Sequence, residues 1–373
     1  AIDLGTGRTA VAVDAGNYFT CAILDNGDLK CWGLDSVGQL GDGGGNTNTN
    51  APSSTAINLG SGRTAIAVSA GISHACAILD NGDLKCWGND YLGRLGDGGT
   101  NTNINAPSST AIDLGSGRTA VAVSAGRDHT CAILDNGDLK CWGSDSNGQL
   151  GDGGSTTNLY APSSTAIDLG SGRTAVAVSA GYSYTCAILD NGEAKCWGYD
   201  SLGMLGDGGG NTDTNAPSST AIDLGTGRTA VAVSTGDYHT CAILDNGDLK
   251  CWGYDFYGQL GDGGGNTNTN APSSTAINLG TGRTAVAVSA GDAHTCAILD
   301  NGDLKCWGRD DYGGLGDGGT NTNQGSPVAV SGSNTWDSST GLSSGSGGGM
   351  TNVTGATCTV SPSLPTGLSI DSS

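Results

Sequence analysis

A six-residue string, Ala-Ile-Leu-Asp-Asn-Gly, begins at Ala22 and returns at Ala77, Ala132, Ala187, Ala242 and Ala297, always 55 residues on. Periodicity of this length constrains the fold more than any other property of the chain, because a copied unit that cannot bury its own apolar surface must stack on its neighbours. Six complete units fill residues 1–330. Within each unit the apolar residues alternate with period two, the mark of strands. In the first unit the stretches are residues 1–4, 9–13, 20–24 and 28–32. Between the last two, Asp25-Asn26-Gly27 signals a tight hairpin in which Gly27 can take a positive φ. With 67 glycines and 5% aromatic residues in 373, long helices are not expected. Four short strands make a blade, and blades set in a ring leave only short, protected edges. The expected fold is all-β, a propeller of six or seven four-stranded blades.

Each unit reads like Val11-Ala12-Val13-Asp14-Ala15-Gly16, then Thr20-Cys21-Ala22-Ile23-Leu24, then Cys31-Trp32-Gly33, then Gly38-Gln39-Leu40-Gly41-Asp42-Gly43. That ordered set, repeated over residues 1–330, resembles the repeats of the regulator of chromosome condensation (RCC1) family. The loop element departs from the pattern at Arg94, Met204 and Gly314. The resemblance implies a propeller that closes with seven blades, and 327–330, Pro-Val-Ala-Val, reads as the start of a seventh. It also implies guanine-nucleotide exchange on a small GTPase. A net charge of −21 and a cysteine pair that typical members lack set this chain apart from that role.

Twelve of the thirteen cysteines follow one rule, C-x9-C, once per unit. A three-residue turn at Asp-Asn-Gly places the two cysteines opposite each other on paired strands, where their Cβ atoms can be bridged. The expected disulfides are Cys21 with Cys31, Cys76 with Cys86, Cys131 with Cys141, Cys186 with Cys196, Cys241 with Cys251 and Cys296 with Cys306. Zinc would call for closer Cys or Cys/His pairs. Disulfides belong to oxidising compartments, so a secreted or cell-surface location is expected. Beyond the last unit, residues 331–350 read as a Ser/Gly-rich linker. Residues 351–373 resemble the opening of an immunoglobulin-like domain of bacterial and archaeal surface proteins, with Cys358 unpaired and a glycosylation sequon at Asn352. The natural chain is expected to continue past Ser373.

Comparison of the six units separates fixed positions from variable ones. Variation concentrates in two windows: the three residues after the Ala-Gly strand end, and the loop after Trp-Gly. Eleven of the twelve Tyr and Phe residues fall there: Tyr18, Phe19, Tyr91, Tyr182, Tyr184, Tyr199, Tyr238, Tyr254, Phe256, Tyr257 and Tyr312. Three arginines, Arg94, Arg127 and Arg309, lie in or beside the windows, while the other twelve basic residues repeat once per unit as an Arg and a Lys. Rings and arginines on loops over a rigid scaffold make a recognition surface.

Catalysis needs an asymmetric constellation, and the acids and histidines here are repeated. His74, His129, His239 and His294 share one repeat position and are expected to pack or hydrogen-bond, and the chain is not expected to be an enzyme. No cofactor is expected. The Asp42–Asn50 loop offers hard oxygen ligands that calcium could use, without matching an EF-hand. The acidic balance disfavours nucleic acid, and no apolar run is long enough for membrane insertion. The expected role is extracellular recognition or adhesion through a protein or glycan ligand. The alternatives are copies of the chain assembled into a filament or surface layer, and a small-GTPase exchange factor.

Overall fold

The computed structural model describes residues 2–99, 101–154, 156–319 and 321–331. Each unit gives one antiparallel sheet. In the first, β1 (Ala10–Ala15), β2 (Phe19–Leu24) and β3 (Leu29–Gly33) pair in that order, and the next four units repeat it. Leu24 and Asp28 close a hairpin turn in which Gly27 sits at φ 80°, the left-handed geometry the sequence asks of it. This register sets Cys21 opposite Cys31, with Cα atoms 4.1 Å apart, and all six expected disulfides are present.

The sheets stand side by side as propeller blades. First strands of consecutive blades touch one another, so they lie nearest the axis. Cys21, Ile23 and Leu29 of one blade pack with Ala65, Val68 and Leu79 of the next in one buried cluster, and the later junctions repeat this arrangement. Polar bonds fix each junction. Trp87 Nε1 donates to the Gln39 carbonyl at 3.1 Å, and Trp142, Trp197, Trp252 and Trp307 do the same one blade further on. On the axis side, the Ala70 amide donates to Asp14 Oδ2 at 2.8 Å, and serines take over the acceptor role in the later blades.

Three expectations can be set against the structure. First, five blades have three regular strands, not four. Residues equivalent to the expected first strand lie along the third strand of the preceding blade, held by single bonds such as Ile57 N to Leu29 O at 2.8 Å. The Pro-Ser-Ser-Thr segment explains this: Pro52 lacks an amide, and Ser53 bonds Thr55 in a local turn that leaves the ladder. Second, the Pro-Val-Ala-Val stretch, read as the start of a seventh unit, lies along the third strand of the sixth blade, as the equivalent segments do on the blades before it. Where the Ser-Ser-Thr turn is missing, Gln324–Ala329 forms a regular fourth strand on the sixth blade, pairing Cys306 with Val328. Third, the tryptophan bonds named above cross the five junctions between consecutive blades, starting with Trp87 of the second blade. Trp32 is accordingly half-buried while its five equivalents are fully buried. Asn352, Cys358, the immunoglobulin-like stretch and all but the first residue of the linker lie outside the described residues.

Candidate binding face

The two variable windows meet at one end of each blade, opposite the disulfide hairpin turn. Backbone bonds tie them together, as in Tyr254 N to Tyr238 O at 2.9 Å and Ser144 N to Asp128 O at 2.8 Å. Side chains that are far apart in sequence therefore share a face.

On blades four and five that face carries a continuous strip of rings. Tyr182 and Tyr238 have centroids 5.1 Å apart, and Tyr238 meets Tyr254 edge-on at 6.2 Å. Tyr254 runs parallel to Phe256 at 6.2 Å, while Tyr257 stands nearly perpendicular to both. Guanidinium groups cap the ends: Arg127 lies 3.9 Å over the Tyr182 ring and Arg309 lies 5.1 Å over Tyr257. Phe256 is 61% exposed, and the tyrosines of the strip are half-buried. Burial raises the Tyr238 phenol above its ordinary value, with Asp237 adding to the effect, and burial followed by Tyr257 raises that of Tyr254. These phenols stay neutral at physiological pH, with hydroxyls able to donate.

Seven of the fourteen residues singled out from the sequence thus come together. Tyr199 lies close enough to act on Tyr238, whereas Tyr18 and Tyr312 stand exposed away from the strip. Tyr91 is exposed beneath the Arg94 guanidinium, at 5.7 Å. Phe19, Tyr184 and Arg94 are buried and leave the candidate surface. Phe19 and Tyr184 occupy the repeat position of the histidines, which points between blades. There His74, His129 and His239 bond through Nε2 to Thr130, Thr185 and Thr295 of the next blade at 2.8–2.9 Å. Arg94 turns inward to Asp128 at 2.7 Å and to the Arg127 carbonyl at 2.8 Å, holding the loop that carries Arg127. The acids Asp128, Asp237 and Asp292, which border the rings, lie in the first variable window, where only rings and arginines were singled out.

In the Asp42–Asn50 loop, side-chain oxygens accept from backbone amides. Asp42 Oδ1 accepts from Gly44 N at 2.7 Å and Asn48 Oδ1 from Asp35 N at 2.9 Å. Among the described residues no group of three or more His, Cys, Asp or Glu could hold a metal, and no helix is long and apolar enough to cross a membrane.

The fold is thus a row of disulfide-stapled propeller blades with rings on one face. The chain belongs to the RCC1-like domain family, whose model matches residues 59–351, with the RCC1 repeat matching residues 10–39. It is 30% identical to the ultraviolet-B receptor UVR8 of Arabidopsis thaliana over 330 residues, covering 87% of this chain and 70% of that protein. It is 28% identical to human E3 ubiquitin-protein ligase HERC2 over 267 residues, 72% of this chain but 5% of HERC2. Among solved structures it resembles human WBSCR16, with a TM-score of 0.78 at 22% identity over 92% of this chain and 86% of that one. It also resembles yeast RCC1 (Prp20), solved with Kap60, with a TM-score of 0.73 at 19% identity over 92% and 80%. At these identities the structural likeness speaks for the fold.

Proposed function

We propose that this chain is a non-catalytic recognition module whose partner, a protein, docks on the strip from Tyr182 to Tyr257. The observation that carries the reading is the continuity of the rings across units four and five, bracketed by Arg127 of unit three and Arg309 of unit six. Large, stiff rings bury area at little cost in side-chain entropy, and Tyr and Arg are enriched where binding energy concentrates. Protein binding also suits the relatives: Prp20 was solved with Kap60 and studied for binding to Gsp1p and histones. Six disulfides favour an oxidising compartment, so the proposed place of action is outside the cytosol. A small GTPase is the alternative protein partner, supported by the family alone.

Capture of proteins from the source's extracellular medium tests the reading, comparing the wild-type chain with a Tyr254→Ala, Phe256→Ala variant. Loss of a captured protein in the variant supports it, and undiminished capture overturns it. Faster nucleotide release from a small GTPase would move the assignment to the alternative.

A further inference from the structure

We propose that the strip takes an arginine-bearing segment of a basic protein, its guanidinium stacking against Tyr238, Tyr254 and Phe256. This rests on the strip being the binding face and adds the chemistry of the partner. The strip displays that chemistry at its own ends, where Arg127 and Arg309 lie over Tyr182 and Tyr257. Among the described residues no guanidinium lies over the three rings between them. The rings do not form one flat platform. Tyr257 stands at 82° to Tyr254 and 87° to Phe256, and Tyr238 at 74° to Tyr254. Such corners suit a planar cation, which stacks on one ring while its edge N–H groups face outward, better than the broad face of a sugar.

Charge supports the same occupant. Asp237 and Asp292 act on the Tyr238 phenol, and Asp292 is exposed. The chain as a whole carries −21, a field that draws cationic partners and speeds their encounter. A second copy of the chain would have to give up an ion pair to offer a guanidinium. All nine arginines are ion-paired internally: six to hairpin aspartates, Arg94 and Arg127 to Asp128, and Arg309 to Asp311.

Calorimetry with the full chain and three synthetic peptides, alternating Arg-Gly, Lys-Gly and Glu-Gly, tests the inference. At about 0.15 M salt, where long-range attraction is screened, the Arg peptide is expected to bind about fivefold or more tighter than the Lys peptide. The Glu peptide should not bind. The Tyr254→Ala, Phe256→Ala variant should lose about tenfold or more in affinity for the Arg peptide. Glu193→Gln, which removes one charge at the opposite end of a blade, should leave it unchanged. Phe256 is largely exposed, so the variant should fold, and its near-ultraviolet circular dichroism checks this. Equal binding of Arg and Lys peptides, no effect of the ring variant, or no binding of the Arg peptide each overturns the inference. If ring variants still lose the captured protein while the Arg peptide fails, the strip remains the binding face and only the arginine assignment falls.

Discussion

His129 and Thr185 meet across the junction between blades three and four, Nε2 to Oγ1 at 2.9 Å, both fully buried. The pair repeats as His74 with Thr130 and His239 with Thr295. In the first unit Phe19 replaces the histidine, and the partner position one blade on is Ala75. In the fourth unit Tyr184 replaces it, donating to the His239 carbonyl at 2.6 Å and accepting from Thr240 at 3.2 Å. Polar group meets polar group, and apolar meets apolar.

That matching predicts the outcome of a double-mutant cycle. His129→Phe alone should cost about 1 kcal/mol, since Thr185 loses a buried partner but keeps its bond to the Gln149 carbonyl. His129→Phe with Thr185→Ala should recover most of the loss by reproducing the first junction. Urea denaturation of the four chains measures the coupling, and strictly additive losses would contradict it.

Acid should act on two sets of buried groups with opposite signs. Burial pushes the carboxyls of Asp145, Asp200 and Asp255 up to about 6, above the ordinary 3.8. The native state then binds more protons than the unfolded chain between pH 6 and 4, so these groups add stability as pH falls through that window. Burial holds His129 and His239 down to about 3, against an ordinary 6.5. Their contribution is complete above pH 6.5 and is lost as pH falls toward 3. Relative to the wild type, Asp145→Asn should therefore lose stability, and His129→Phe gain it, on going from pH 7 to pH 4.5. Melting temperatures at the two values check both directions.

The disulfides should act as independent staples. Replacing Cys131 and Cys141 by Ala opens one ten-residue link and should cost about 3 kcal/mol on the chain-entropy model. The same change in another blade should cost a similar amount and add to the first. A negligible loss in guanidinium unfolding would contradict the staple role.

Trp32 reports on the first blade's outer junction. It is half-buried where Trp87, Trp142, Trp197, Trp252 and Trp307 are fully enclosed by the preceding blade. In a Trp336→Phe background, Trp32→Phe should remove acrylamide-quenchable fluorescence, whereas Trp197→Phe should not. Equal quenching with and without Trp32→Phe would show that Trp32 is shielded.

Much of the scaffold was legible because its signals are local. The C-x9-C spacing around Asp-Asn-Gly fixes the hairpin turn and the register of Cys21 on Cys31, and both can be read without knowing what packs outside. The fourth strand was misread because Ile57 and its neighbours carry the alternation of a strand while Pro52 and the Ser53 turn break the ladder before it can form. Windows rich in rings were visible, but not the direction in which each ring points. Tyr182 and Tyr184 are two residues apart, and one lies on the face while the other is buried between blades. The strip could not be read either, since Tyr182 and Tyr238 are brought together by blade spacing and not by any spacing within a unit.

A photoreactive benzophenone side chain in place of Phe256 tests the binding face most directly. Irradiated in the intact chain within its native surroundings, it is expected to form an adduct with a foreign protein, mapped by mass spectrometry to an arginine-containing segment. The same group at Glu193, on the opposite end of the blades, should form none. Adducts of equal yield at both positions, or adducts at position 256 only with other copies of this chain, would contradict the account.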